Sequence, residues 1–321
     1  FFLFTVVGSV AMLLGFLFIY QQTKTFDFIT LAGMGVNVSP WIFCAVLTGL
    51  WVKVPMAPLH IWQAPAYAAA PAPVAMLLTG VMSKMGVYGF LRLVVPIFPE
   101  HLKHYATPLM AFALVTILWG AFLALRQTDL KRMLAFSSLN HVAFCVLAVG
   151  AIGLASDGAK IDVRALATQG IILQMFAHGI AAAGLFYLVG LLEERAGARG
   201  LGDFGGLSSV TPRFSAAFFI LTFCSLGLPF MAGFAAEFLV FSGSFAVAPG
   251  ITAVATLGLL ATAVFLLTML QKIFTGPTPE RHRAMPDLSL METLILIPLL
   301  ILVFWVGMAP ATWLRFSSIL F

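Results

Sequence analysis

The sequence predicts an all-α polytopic membrane protein of about nine transmembrane segments, two of them broken helices. Three observations carry this reading. Mean hydropathy is +1.06 over 321 residues, with 61% hydrophobic and 9% charged residues, far outside the range of soluble domains. Apolar stretches of about 20 residues, the length that crosses a bilayer core, follow one another along the whole chain. Finally, two of these stretches carry prolines and glycines that a continuous helix does not tolerate.

In chain order the stretches lie near 1–20, 41–58, 74–96, 106–126, 132–153, 165–192, 214–246, 251–275 and 290–309. No polar block long enough for a soluble module separates them, so a single membrane domain is expected over 1–321. The first residue is Phe, inside an apolar run with no initiator Met, positive leader or cleavage site, which leads to the expectation that an N-terminal part is missing.

The second stretch is expected to break soon after Lys53, because Pro55, Pro58, Pro65 and Pro71 follow, and proline removes a backbone donor and clashes with the preceding turn. The seventh stretch holds 33 residues. As one straight helix it would span roughly 50 Å against a core of about 30 Å. Its break is expected at Gly227, Pro229 and Gly233. Broken helices at membrane depth must be buried in protein or line a wet cavity, and paired interruptions in the two halves of a chain point to a transporter with internal repeats.

Three charges sit inside apolar runs: Lys53, Lys84 and Glu237. A charged side chain near the centre of a membrane helix costs about 2.5–3.5 kcal/mol on insertion scales, so such a residue is a functional candidate by default. Lys84 is the clearest, because Val74 to Leu91 holds no other charge and places it midway, beyond snorkelling reach of either surface. Lys53 and Glu237 each lie beside a break, where a charge could also cap the helix end. Polar groups at helical spacing fit between these charges: Gln174 with His178, and Ser137 with His141. Imidazole accepts one proton while donating another, so it suits a relay, although a membrane histidine can equally be hydrogen-bonded core. His60, His101, His104 and His282 lie at ends or in loops and read as surface residues.

Cys44, Cys145 and Cys224 stand apart on separate apolar segments, without a CxxC or histidine at ligand spacing, and read as small core residues. The net charge of +5 has a membrane explanation and calls for no nucleic acid. If the spans alternate, nine loop cations (Arg126, Lys131, Arg132, Arg195, Arg199, Arg213, Lys272, Arg281, Arg283) share one side, against six (Lys24, Arg92, Lys103, Lys160, Arg164, Arg315) on the other. The positive-inside rule turns the richer side to the cytoplasm.

Four strings then carry a resemblance: Lys53 to Trp62 (KVPMAPLHIW), Ala72 to Pro99, Asp129 to His141 (DLKRMLAFSSLNH) and Gly233 to Phe238 (GFAAEF). With Leu191 to Leu207 and Ser225 to Glu237, they closely resemble the antiporter-like membrane subunits of proton-pumping NADH:quinone oxidoreductase, respiratory complex I. The match is best to the chain M type, the homologue of mitochondrial subunit 4 and the plastid D chain. It covers nearly the whole sequence.

The resemblance implies a fourteen-helix subunit with two inverted five-helix repeats, each holding a broken helix, of which this chain would be the sixth to fourteenth helices. Residues 1–96 would be the remainder of the first repeat, 106–275 the second, and 290–309 the C-terminal helix. Lys53 matches the lysine of the first broken helix, Lys84 the central lysine after it, Glu237 the terminal acid of the second, and His141 and His178 polar positions between. These five would form a proton relay, in which the proton affinity of Lys84 depends on whether Lys53 is charged, because like charges oppose each other. The glutamate that pairs with Lys53 in the family would lie before residue 1.

The implied activity is that of a proton-pumping subunit of a translocase coupled to quinone reduction. No nucleophile, metal cluster or Gly-rich phosphate loop appears in the sequence, so no cofactor is expected in this chain. Flavin, iron–sulphur clusters and quinone would belong to partner subunits, and sibling antiporter-like chains would be among the partners. An energy-transducing membrane is implied, a bacterial inner membrane first and an organelle inner membrane second.

Two departures stand out. After Trp62 the family usually reads LPDAHxEA, whereas this chain has QAPAYAAA, so the acid, histidine and glutamate positions become Pro65, Tyr67 and Ala69. Before Glu292 the family more often has arginine, and this chain has Met291. Two other readings share these helices: a subunit of a multisubunit cation/proton antiporter or membrane-bound hydrogenase, and a non-transporting scaffold, which the depleted loop favours.

Overall fold

The computed structural model describes residues 1–155 and 162–320, the side chains of 316–320 excepted. Lys160, counted above among the loop cations, lies outside the described residues. All regular structure among them is helical.

The helix α1 (Phe2–Thr23) is apolar all round and packs through Gly8 and Gly15 against Val52 and Val46. Small residues let helix backbones approach where no hydrophobic force separates lipid from protein. A short helix α2 (Phe28–Met34) follows, capped by the Asp27 carboxylate, which accepts from Thr30 N–H at 2.8 Å. The next crossing comes in two pieces, α3 (Pro40–Lys53) and α4 (Gln63–Ala69), as the prolines require. Its exposed backbone groups find side chains: Ala57 N–H donates to Thr116 Oγ1, Trp51 Nε1 donates to Ala57 O and Trp62 Nε1 donates to Val52 O. That satisfaction is the condition for irregular backbone at membrane depth.

The helix α5 (Ala72–Ile97) widens into π-helical turns at Leu78–Met82 and Phe90–Val94. The second wide turn precedes Pro96, whose ring would clash with an α-helical carbonyl one turn back. Then α6 (Pro99–Leu125) and α7 (Leu130–Leu154) form an antiparallel pair meeting at Gly120, Gly150 and Gly153. Nearly all of α7 is buried, which makes it the central post of the bundle.

The long α8 (Val163–Ala196) leads to the second broken crossing, α9 (Pro212–Ser225) and α10 (Ala232–Val247). Here the structure corrects the expected break. Gly227 and Pro229 lie in the 226–231 interruption, with Gly227 at φ 68° and Phe230 at φ 70°, but Gly233 is already helical. Gly233 is needed for packing instead, since a Cβ there would fall on the Cys224 carbonyl. The chain ends in α11 (Pro249–Phe274), α12 (Leu290–Met308) and α13 (Pro310–Leu320), the last of which the sequence reading did not anticipate.

Seven helices are long and apolar enough to cross a membrane, and the two broken pairs complete nine crossings among the described residues. The three cation-rich loops meet at one end. Leu130 N–H bonds Arg199 O, Arg281 pairs with Asp203 at 3.3 Å, and Arg213 N–H reaches Asp287. The first broken crossing runs toward that end and the second away from it. Cys145 and Cys224 are buried as expected, but Cys44 is exposed on the outer face of α3. His60, His101 and His282 are also buried, contrary to the surface reading, and only His104 among the four is exposed.

Candidate functional site

Buried apolar side chains fall into two clusters, one toward each end of the bundle. Between them runs a buried polar layer that includes Thr79, Ser83, Lys84, Ser137, Ser138, His141, His178, Ser225 and Glu237. Buried polar groups are costly unless hydrogen-bonded, and most of these are.

Lys84 is 8% exposed, halfway along α5 and just past its first wide turn. Its Nζ donates to Thr79 O at 2.5 Å and lies 3.3 Å from Ser83 Oγ. Close approach of α5 to α8 at Gly80 and Gly179 brings the lysine stem against the second half of the chain. There Thr79 Oγ1 lies 3.1 Å from Ser138 Oγ, and Ser138 Oγ lies 2.9 Å from His178 Nε2. The His178 ring stacks on His141 with centroids 4.9 Å apart and planes 7° from parallel.

His141 ends the series. Its Nδ1 is 2.8 Å from Ser137 O and its Nε2 is 2.9 Å from Ser225 O, at the lip of the second helix break. Both partners are carbonyls, which only accept, so a neutral ring donates to one of them at a time. The Glu237 carboxyl group stands 3.6 Å from the same Nε2. Glu237 is buried on α10 and its carboxylate rests against Gly227, where a Cβ would collide with it.

Of the five residues predicted as the relay, Lys84, His178, His141 and Glu237 are therefore brought into one network. Lys53 is not joined to it. It is half-buried at the C-terminus of α3, with its Cβ facing Gly86 of α5, and its side chain has no hydrogen bond or ion pair among the described residues. Gln174 is buried beside the network, its Oε1 without a partner among the described residues. The sequence reading missed Thr79, Ser83 and Ser138. Their signal was weak, because single hydroxyl residues are ordinary in membrane helices and bond their own backbone.

At the cation-rich end a cavity of about 550 Å³ opens beside Ala68 to Pro73, with Lys131, Glu193 and Arg199 in its wall. Lys131 pairs with Glu193 at 2.5 Å and donates to Ala70 O, while Arg199 pairs with Asp129 at 2.6 Å and donates to Ala68 O. These cations thus cap the carbonyl end of α4, whose own sequence carries no charge. No cluster of three or more metal-ligating side chains occurs among the described residues.

Comparison with known proteins gives a consistent picture. The family described as NADH:quinone oxidoreductase/Mrp antiporter, TM, matches residues 1–264. NADH-ubiquinone oxidoreductase chain 4 of Chondrus crispus is 35% identical over 99% of this chain and 64% of its own length. NADH-quinone oxidoreductase subunit M of Rickettsia typhi is 30% identical over 97% of this chain and 62% of its own. The chain thus spans less than two thirds of the length of these relatives. A chain of respiratory complex I from Thermus thermophilus with bound NADH superposes with a TM-score of 0.89 at 29% identity, over 98% of this chain and 65% of that one.

Proposed function

Because the chain belongs to the NADH:quinone oxidoreductase/Mrp antiporter transmembrane family, we propose that it moves protons as a membrane subunit of a respiratory NADH:quinone oxidoreductase. The single observation that carries this reading is the buried polar layer from Lys84 through Thr79, Ser138, His178 and His141 to Glu237, laid between two apolar clusters. Ionisable groups at membrane depth are costly, and a continuous layer of them points to a functional role.

In this account Lys84 takes up and releases a proton on the first half of the chain, and Glu237 does so on the second. The hydroxyls of Thr79 and Ser138 each pass on one proton as they receive another. Lys84 Nζ bonds the carbonyl of Thr79 rather than its hydroxyl, and the stacked histidines share no hydrogen bond, so transfer at both points needs a side-chain rotation or an intervening water. Lys53 acts through its charge, because a second cation near Lys84 shifts the balance between its protonated and neutral states. The redox step that changes the state of Lys53 occurs in partner subunits, which hold the flavin, iron–sulphur clusters and quinone. Residues 1–96 are assigned to a first repeat and 106–275 to a second, in keeping with the opposed directions of the two broken crossings. The cation-rich end faces the cytoplasm or matrix.

Glu237→Gln tests the reading. In the intact complex reconstituted into proteoliposomes, the variant is expected to assemble and to lose proton translocation per electron. Unchanged translocation would remove Glu237 from the path.

A further inference from the structure

The relay needs a supply of protons at Lys84, and the acidic and histidine positions that follow Trp62 in the family are absent here. The short helix α4 nevertheless buries two polar side chains, Gln63 at 1% and Tyr67 at 0% exposure. Both side-chain atoms of Gln63 lack a partner among the described residues. The Tyr67 hydroxyl donates to Leu78 O at 3.0 Å, on the same wide turn of α5 that holds Thr79 and leads to Lys84. The Gln63 amide and the Ser83 hydroxyl both lie beside that Tyr67 hydroxyl. Ser83 Oγ is in turn 3.3 Å from Lys84 Nζ.

Tyr67 is next in sequence to Ala68, which forms part of the lining of the cavity at the cation-rich end. The Tyr67 ring packs edge-on against Phe186 of α8 at 5.8 Å, and Tyr187, the next residue there, also lines the cavity. Glu194 stands at the same cavity, exposed, and can collect protons from solution.

We infer that Tyr67 and Ser83 form a charge-free proton inlet from this cavity to Lys84. The inference rests on the relay reading above. Each step conserves protons. Tyr67 gives its hydroxyl proton to Ser83 Oγ and takes one from water of the cavity, while Ser83 gives its own to the lone pair of a neutral Lys84 amine. For this the Tyr67 hydroxyl turns from Leu78 O, and the Ser83 hydroxyl turns from Thr79 O, its acceptor at 3.0 Å. Phenol and alcohol groups carry protons in this way without a stable charge in the apolar surroundings, which offsets the loss of the ionisable loop residues.

The test compares Tyr67→Phe, Tyr67→His, Ser83→Ala and Glu237→Gln in the intact complex in proteoliposomes, reading proton flux against redox turnover. Tyr67→Phe keeps the ring and its packing, and is expected to cut coupled proton flux by about a hundredfold or more, the usual range for losing a proton-transfer group. Tyr67→His is expected to restore flux, and Ser83→Ala to lose it as Tyr67→Phe does. Should Tyr67→Phe fail to assemble, Ser83→Ala decides alone. Full flux in Tyr67→Phe or Ser83→Ala, with flux lost in Glu237→Gln, overturns the inlet and leaves the relay standing. Equal loss in Tyr67→Phe and Tyr67→His assigns Tyr67 to packing and overturns the inlet. Full flux in Glu237→Gln overturns the relay and the inlet with it.

Discussion

Glu237 reaches His141 because residue 227 has no side chain. Gly227 sits in the left-handed region at φ 68°, and a Cβ there would collide with the Glu237 carboxylate. Gly227→Ala is therefore expected to cost about 1–2 kcal/mol from the backbone alone, and to push the carboxylate off its 3.6 Å approach to His141. Gly250→Ala, where an added Cβ meets nothing within 4 Å, is the matched control. Thermal unfolding and proton flux measured on both variants check this, with both falling for Gly227→Ala and neither for Gly250→Ala. At this scale the charges were legible, because Lys84 and Glu237 interrupt apolar runs and no hydrocarbon packing needs them. The hydroxyls were not, since Thr79, Ser83 and Ser138 look like any small polar residue in a membrane helix until two helices meet. His60, His101 and His282 misled for the opposite reason. They lie near chain turns, but the turns are themselves packed: His60 accepts from Trp119 Nε1, His101 is 2.8 Å from Val38 O and His282 is 3.1 Å from Asp203 O.

The broken helices were legible as elements because proline has no N–H to give, so α3 had to end near Lys53 and α9 before Pro229. The wide turns of α5 were not, because they follow from contacts with α8 and from relief around Pro96 rather than from local propensity. The cap on α9 shows the same dependence on distant chain. Its first turn is closed from another loop, where the Asp287 carboxylate accepts from Arg213 N–H and Phe214 N–H, each at 2.9 Å, and from Leu288 N–H at 2.8 Å. Partial burial pushes the Asp287 carboxyl up, but these three donors and the Arg213 charge outweigh it and hold it below the usual carboxylate range. A depressed carboxyl contributes stability that is full above its unfolded pKa and lost as pH falls through the folded one. Asp287→Asn is thus expected to lower thermal stability at neutral pH, and the gap between variant and parent should close as the medium is acidified below the carboxylate range. A gap independent of pH would show that the carboxylate charge contributes nothing to the cap.

At the scale of the whole molecule, two apolar clusters hold the ends of the bundle and the polar layer lies between them. Alternation of nine spans put the cation-rich loops on one side in the sequence, and the structure gathers them there through Arg195 with Glu292 at 2.6 Å and Arg281 with Asp203 at 3.3 Å. What sequence periodicity could not show is which faces of α5, α7, α8 and α10 meet, and that meeting turns separate polar residues into one layer. The central claim is that this layer carries protons through Lys84. The most direct measurement is the ratio of protons translocated to electrons transferred, in proteoliposomes of the intact complex carrying Lys84→Met. The account predicts normal assembly with translocation lost; an unchanged ratio would contradict it and leave Lys84 a packing residue.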